Sequence, residues 1–229
     1  MLLIRNGLVK TMEGPDIENG QILIDNGKIL AVGQELEVPA GTPVLDVGGC
    51  LVAPGFVEAH CHIGLEEEMV GAVGNDVNEA TNPLTPQMRA IDAINPMDEA
   101  FDEALKNGVT CAVTGPGSAN VIGGTFCAIK LFGKRVDKMV VKSPVAMKAA
   151  FGENPKRVYG SSKQTPSTRM ATAALLRGLL FKARRYEEDW AEYEKDPENK
   201  KRPDFDMQVE AMRPVIRGEI PLKCHAHRA

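Results

Sequence analysis

The chain carries four histidines, and all of them fall in two H-x-H pairs, His60/His62 and His225/His227. Side chains two apart on an extended strand point to the same face, so each pair aims two imidazoles at one place. Neutral imidazole is a good ligand for zinc and similar transition metals, and two parallel strands of one sheet or barrel would bring both pairs around a shared cation. A lone histidine is more often a core or surface residue than a ligand. Two pairs with no histidine left over favour a metal site. A structural Cys/His zinc site is the competing reading, because Cys61 and Cys224 adjoin the histidines. Each cysteine is one residue from its histidine, and strand alternation turns it to the opposite face. The glycines at Gly115-Pro116-Gly117 and Gly123-Gly124 follow apolar runs but match no phosphate-loop pattern, which leaves a sugar- or phosphate-handling protein the weakest reading.

Strands must present these side chains, and the sequence supplies them. Gly55 to His62 reads as a buried strand, and Pro221 to His227 as another. Between them the pattern alternates. A loop rich in Gly, Asn and Pro runs over 64–96, long enough to be functional. A helix follows, with Asn95 as N-cap, Pro96 at its first position and Gly108 closing it. Val109–Thr114, Ala128–Phe132 and Met139–Val141 read as strands, whereas Val145–Phe151 fits a strand or a short helix. A long helix is expected over 169–194 and a further one over 206–217, kinked by Pro214. Strand, helix, strand, helix, strand in one direction argues for a parallel α/β fold. Residues 1–53 differ. Short apolar runs flank Asn6-Gly7 and Asn26-Gly27, and Asn-Gly between apolar runs signals a type I′ hairpin, so this stretch reads as a small antiparallel β unit.

Composition excludes several classes. The 229 residues carry a net charge of −4 with both signs interspersed, which offers no basic face for nucleic acid and no patch for an anionic membrane. The basic run Lys200-Lys201-Arg202 sits among acids and reads as a solvated loop. Five cysteines without a C-x-x-C pair do not form a secreted disulfide framework. No signal peptide and no membrane span is legible, so a cytoplasmic protein is expected.

The run Val52-Ala53-Pro54-Gly55-Phe56-Val57-Glu58-Ala59-His60-Cys61-His62 resembles the amidohydrolase superfamily signature, in which Pro-Gly, two apolar residues, an acid and H-x-H form the first barrel strand. Glu58 stands where many members have aspartate. The hairpin from Ile22 to Ile29 looks like the family's N-terminal β-sandwich half. Leu222-Lys223-Cys224-His225-Ala226-His227 resembles the fifth barrel strand, with His225 as ligand and His227 as a neighbour able to touch substrate or metal. Met147 to Arg157 is reminiscent of the imidazolonepropionase-related group.

The resemblance implies an α/β fold: a β-sandwich portion over 1–53, then the first part of a TIM-like (β/α)8 barrel over 54–229. It implies a divalent metal, zinc or similar, at His60, His62, His225 and His227. In many members a carbamylated lysine or a glutamate from the fourth strand bridges two metals, and Lys148 and Glu153 are the candidates. A complete barrel takes about 250 residues, so the catalytic aspartate is expected beyond residue 229. The implied activity is metal-assisted hydrolysis of a C–N bond in a small-molecule amide or cyclic amide. The chain by itself is expected to be inactive, and to pair with a copy of itself or with a complementary C-terminal chain. A non-catalytic metal-binding or interaction fragment of a split or degenerate amidohydrolase is the alternative.

Overall fold

The computed structural model describes residues 1–68 and 70–229. The chain divides into two compact units, Met1–Gly55 and Phe56–Ala229.

The first unit is one five-stranded sheet: β1 (Leu2–Val9), β2 (Ile17–Asp25), β3 (Lys28–Gly33), β4 (Val44–Asp46) and β5 (Leu51–Val52). The two runs around Asn6-Gly7 form a single strand whose register slips there, with Asn6 at φ 61°. The hairpin is where the sequence puts it. Asn26 and Gly27 sit at φ 47° and 72° between β2 and β3, the double positive φ of a type I′ turn. The antiparallel unit expected from the short runs is corrected in part. β4 and β5 both pair parallel with β1, because the segments between β3 and β5 return to the start of β1 instead of folding back as hairpins.

The second unit is built on a sheet of β6 (Phe56–Cys61), β7 (Val109–Thr114), β8 (Ile122–Lys130), β9 (Val140–Gly152) and β10 (Leu222–His227), in the order β10-β9-β8-β7-β6. β6–β7 and β9–β10 are parallel pairs. β8 runs antiparallel to both neighbours, which corrects the all-parallel expectation. The reason is local: only residues 115–121 join β7 to β8, far short of the dozen or more that a parallel crossover needs. The ambiguous run Val145–Phe151 lies within β9, while Met139 closes the short helix α2 (Val136–Met139) instead of opening a strand.

Helix α1 spans Glu99–Lys106, later than expected, and its N-cap is Asp98, whose side chain accepts from Ala100 N–H. Asn95 Oδ1 instead accepts from Met97 N–H in the preceding turn, and a carboxylate at the cap also favours the helix dipole. The loop over 64–96 is confirmed as irregular chain with two short 3-10 turns; Met69 within it lies outside the described residues. α3 (Glu153–Ser161), α4 (Arg169–Lys195) and α5 (Met207–Ile216) complete the unit, with Pro214 inside α5.

Two apolar clusters cover the sheet. Leu65, Ile94, Phe101, Ala112, Cys127 and Ile129 join the loop and α1 to β7 and β8. Met147 and Ala149 of β9 pack with Leu179, Ala183, Val209 and Met212 of α4 and α5. Alternation along β9 then turns Lys148 to the opposite face. That inner face is where the site lies.

Candidate active site

Phe126, fully buried on β8, is the floor of the site. Its ring centroid lies 5.4 Å from the His60 ring, 5.7 Å from Lys148 Nζ and 5.0 Å from Lys223 Nζ. Groups from β6, β9 and β10 thus meet over one aromatic ring. Lys148 and Lys223 are direct register partners on β9 and β10, so their ammonium groups share a face. Lys223 Nζ donates to the Ala59 carbonyl of β6, which joins the two edge strands across the inner face.

Lys148 is 0% exposed, and its Nζ has no hydrogen-bond partner. A buried cation without a partner is costly, and the molecule relieves the cost by disfavouring the charge. Burial, with Lys223 beside it, pulls the Lys148 amine down to about 8. Burial and the two nearby amines likewise push His60 down to about 4, which leaves a neutral imidazole with a free lone pair at neutral pH.

The His60 and His62 rings stand edge to face, 5.4 Å apart. His62 Nδ1 is 2.6 Å from the Gly115 carbonyl oxygen. A carbonyl only accepts, so Nδ1 carries the proton and Nε2 of the neutral ring keeps its lone pair. Metal-binding histidines are commonly oriented by such a bond. Gly115 itself is required by packing, since a Cβ there would fall 2.3 Å from the Phe126 ring.

His225 and His227 lie on the same strand as Lys223, His225 pairing with Ala150 and His227 with Gly152. His225 Nε2 is 3.3 Å from the Asn154 amide nitrogen. Burial and Lys148 lower its pKa. His227 Nδ1 faces Glu153 Oε2 at 3.5 Å, at the first residue of α3. The structure therefore brings His60 and His62 together, sets Lys148 and Lys223 beside them, and directs His225 and His227 to the start of α3. Among the described residues, no three His, Cys, Asp or Glu side chains gather as a ready cation site. Cys61 packs against the outer apolar cluster and Cys224 is exposed.

Sequence reasoning passed over Phe126, Lys223 and Gly115. No spacing signalled the first two. Gly115 entered the sequence reading only as part of Gly115-Pro116-Gly117, which matches no phosphate loop, whereas its role is close packing against Phe126.

No protein-family model matches the chain. It is 31% identical over 260 aligned residues to amidohydrolase tasK of Hapsidospora irregularis, covering 98% of this chain and 26% of that protein. A crystal structure of an amidohydrolase from Thermotoga maritima MSB8 superposes with a TM-score of 0.93 at 42% identity, covering 100% of this chain and 59% of that chain. The chain belongs to the amidohydrolase superfamily. A dihydroorotase of Geobacter sp. (strain M21) matches a shorter stretch, 40% identical over 78 residues, which is 32% of this chain and 18% of that protein. The curled sheet from β6 to β10 matches part of the amidohydrolase (β/α) barrel, and the chain spans 26% of tasK and 59% of the Thermotoga chain. Among the described residues, no helix is long and apolar enough to cross a membrane.

Proposed function

We propose that the protein is a hydrolase of C–N bonds in small amides or cyclic amides, working with a divalent metal, zinc or similar, held on the inner face of the sheet. The observation that carries this reading is the unpartnered, fully buried amine of Lys148 beside the uncharged imidazole of His60, with the His62 ring 5.4 Å from it. A donor set of that kind fits a cation better than it fits a packed core. His60 and His62 would hold the metal from β6 and His225 from β10, with His227 at the rim. A bound divalent cation supplies Lewis acidity toward a carbonyl and makes water a nucleophile at neutral pH.

The chain's own groups prepare that chemistry. Gly115 fixes the His62 tautomer, and burial keeps His60 uncharged. The Lys148 amine, at about 8, is neutral in part near pH 7 and can take up carbon dioxide: the amine nitrogen bonds to carbon and a proton leaves to solvent. The carbamate brings two oxygens to a place where the amine makes no hydrogen bond. Lys148 suits this role better than Glu153, which faces His227 and Arg228 at the edge. Phe126 closes the floor against water.

The test is metal content and turnover together. The purified chain, equilibrated with zinc and dialysed, is expected to retain metal that His60→Ala and Lys148→Met lose, and in a full-length protein carrying the complementary C-terminal part hydrolysis of cyclic amides should fall with it. Retention of no divalent metal, with hydrolysis unchanged in His60→Ala, would end this reading. A second reading rests on the same imidazoles: a module that binds a cation without turnover. Metal retention without hydrolysis by any form of the protein would support it.

A further inference from the structure

The register between β6 and β7 steps from Glu58↔Ala112 to Cys61↔Thr114, three residues along one strand against two along the other. That is a β-bulge at Ala59 and His60. Bulges interrupt the ladder and re-aim side chains beside sites. Neither Ala59 nor His60 has a partner in this register. The Ala59 carbonyl is instead taken by Lys223 Nζ, from β10 at the other edge of the sheet. The same ammonium rests over Phe126, 5.0 Å from the ring centroid, in cation–π contact. Lys223 therefore touches three strands at once, β10 through its backbone, β6 through its amine and β8 through the ring.

We infer that Lys223 is a positioning residue that fixes the bulge aiming His60 and ties the strand of His225 and His227 to the strand of His60 and His62. The strap is a property of the folded chain. Only its consequence for cation binding rests on the proposed metal site. Two physical effects of removing this lysine have opposite signs. Losing the strap frees the bulge and weakens a site that depends on His60. Losing a positive charge alone would make a cation bind more tightly.

The experiment compares the wild-type chain with Lys223→Met and Lys223→Arg, each checked for folding by far-UV circular dichroism. Hydrogen exchange is read on peptides covering β6 and β10 without metal, and cobalt(II) binding is followed by its visible absorption. Lys223→Met is expected to exchange about tenfold faster in β6 and β10 and not in α4, and to bind cobalt about 10- to 100-fold more weakly with an altered spectrum. Lys223→Arg, which can still donate and stack, should restore both. If Lys223→Met does not fold, Lys223→Leu, which likewise cannot donate, takes its place. Unchanged exchange in β6, or tighter cobalt binding in the uncharged variant, overturns the assignment. If the wild type binds no cobalt while exchange rises in Lys223→Met and recovers in Lys223→Arg, the strap stands and the metal reading falls.

Discussion

His62 Nδ1 lies 2.6 Å from the carbonyl oxygen of Gly115, a contact between the end of β6 and the residue that follows β7. It selects one tautomer. Long-range proton–nitrogen NMR of the neutral ring is expected to show the proton on Nδ1. A proton on Nε2 would mean that the bond is not made in solution and that His62 offers its lone pair in another direction.

Gly115 has a second duty, since any Cβ at that position meets the Phe126 ring at 2.3 Å. Gly115→Ala is expected to force the ring aside at a cost of about 1–3 kcal/mol, the usual penalty for overpacking a filled core. Urea unfolding would measure it. A neutral result would mean that Phe126 is free to move and is no floor.

Lys148 makes the pH dependence distinctive. Its folded value of about 8 lies below the ordinary 10.5. Between those values the unfolded chain holds the proton and the folded chain does not, so stability rises with pH across that window and is flat with respect to this group below it. Lys148→Met removes the buried ammonium and keeps a comparable stem. It is expected to be the more stable protein at pH 7, by on the order of 3 kcal/mol, and to lose the rise between pH 8 and 10.5. Parallel stability curves for the two proteins would show that Lys148 is not held against its charge.

On the outer face, Glu187 of α4 accepts from Arg213 Nε of α5 and from Arg217 Nε, each at 2.7 Å. Burial pushes its carboxyl up, and the two guanidinium groups more than offset this, leaving it below the usual value of 4.5. Its contribution is therefore present above about pH 4.5 and is lost as pH falls through the lower folded value. Glu187→Ala should cost about 1.5–3 kcal/mol at pH 7, and the difference from wild type should shrink in acid. A difference independent of pH would place the effect in packing.

Tyr159 anchors the loop that borders the site. Its hydroxyl reaches the Glu79 carbonyl at 3.2 Å and Asn120 Oδ1 at 3.1 Å, and Asn120 in turn donates to Thr85 Oγ1. Tyr159→Phe removes a hydroxyl that touches both Glu79 and Asn120, at a cost of about 1 kcal/mol. Limited proteolysis should cut faster within residues 78–89. An unchanged rate would show that the other contacts, such as Asn120 to the Asn82 carbonyl, hold the loop without this hydroxyl.

The sequence by itself nominated the residues that could carry chemistry and determined much of the scaffold under them. The paired histidines, the Pro-Gly strand that bears the first pair, the Asn26-Gly27 hairpin and the long helix from Arg169 are all local signals. Spacing, turn chemistry and apolar periodicity act within a few residues, so one chain displays them without its fold. Tertiary structure decided the rest. The direction of β8 follows from a connection too short to cross over, and the parallel pairing of β4 and β5 from contacts with β1 more than thirty residues away in the chain. The neighbours of Lys148 come from three other strands, β6, β8 and β10, and neither Phe126 nor Lys223 announces by type or spacing that it will lie beside that amine. Their meeting depends on the curl of the sheet and on a one-residue bulge in β6. Both are settled by long-range packing, which no local pattern encodes.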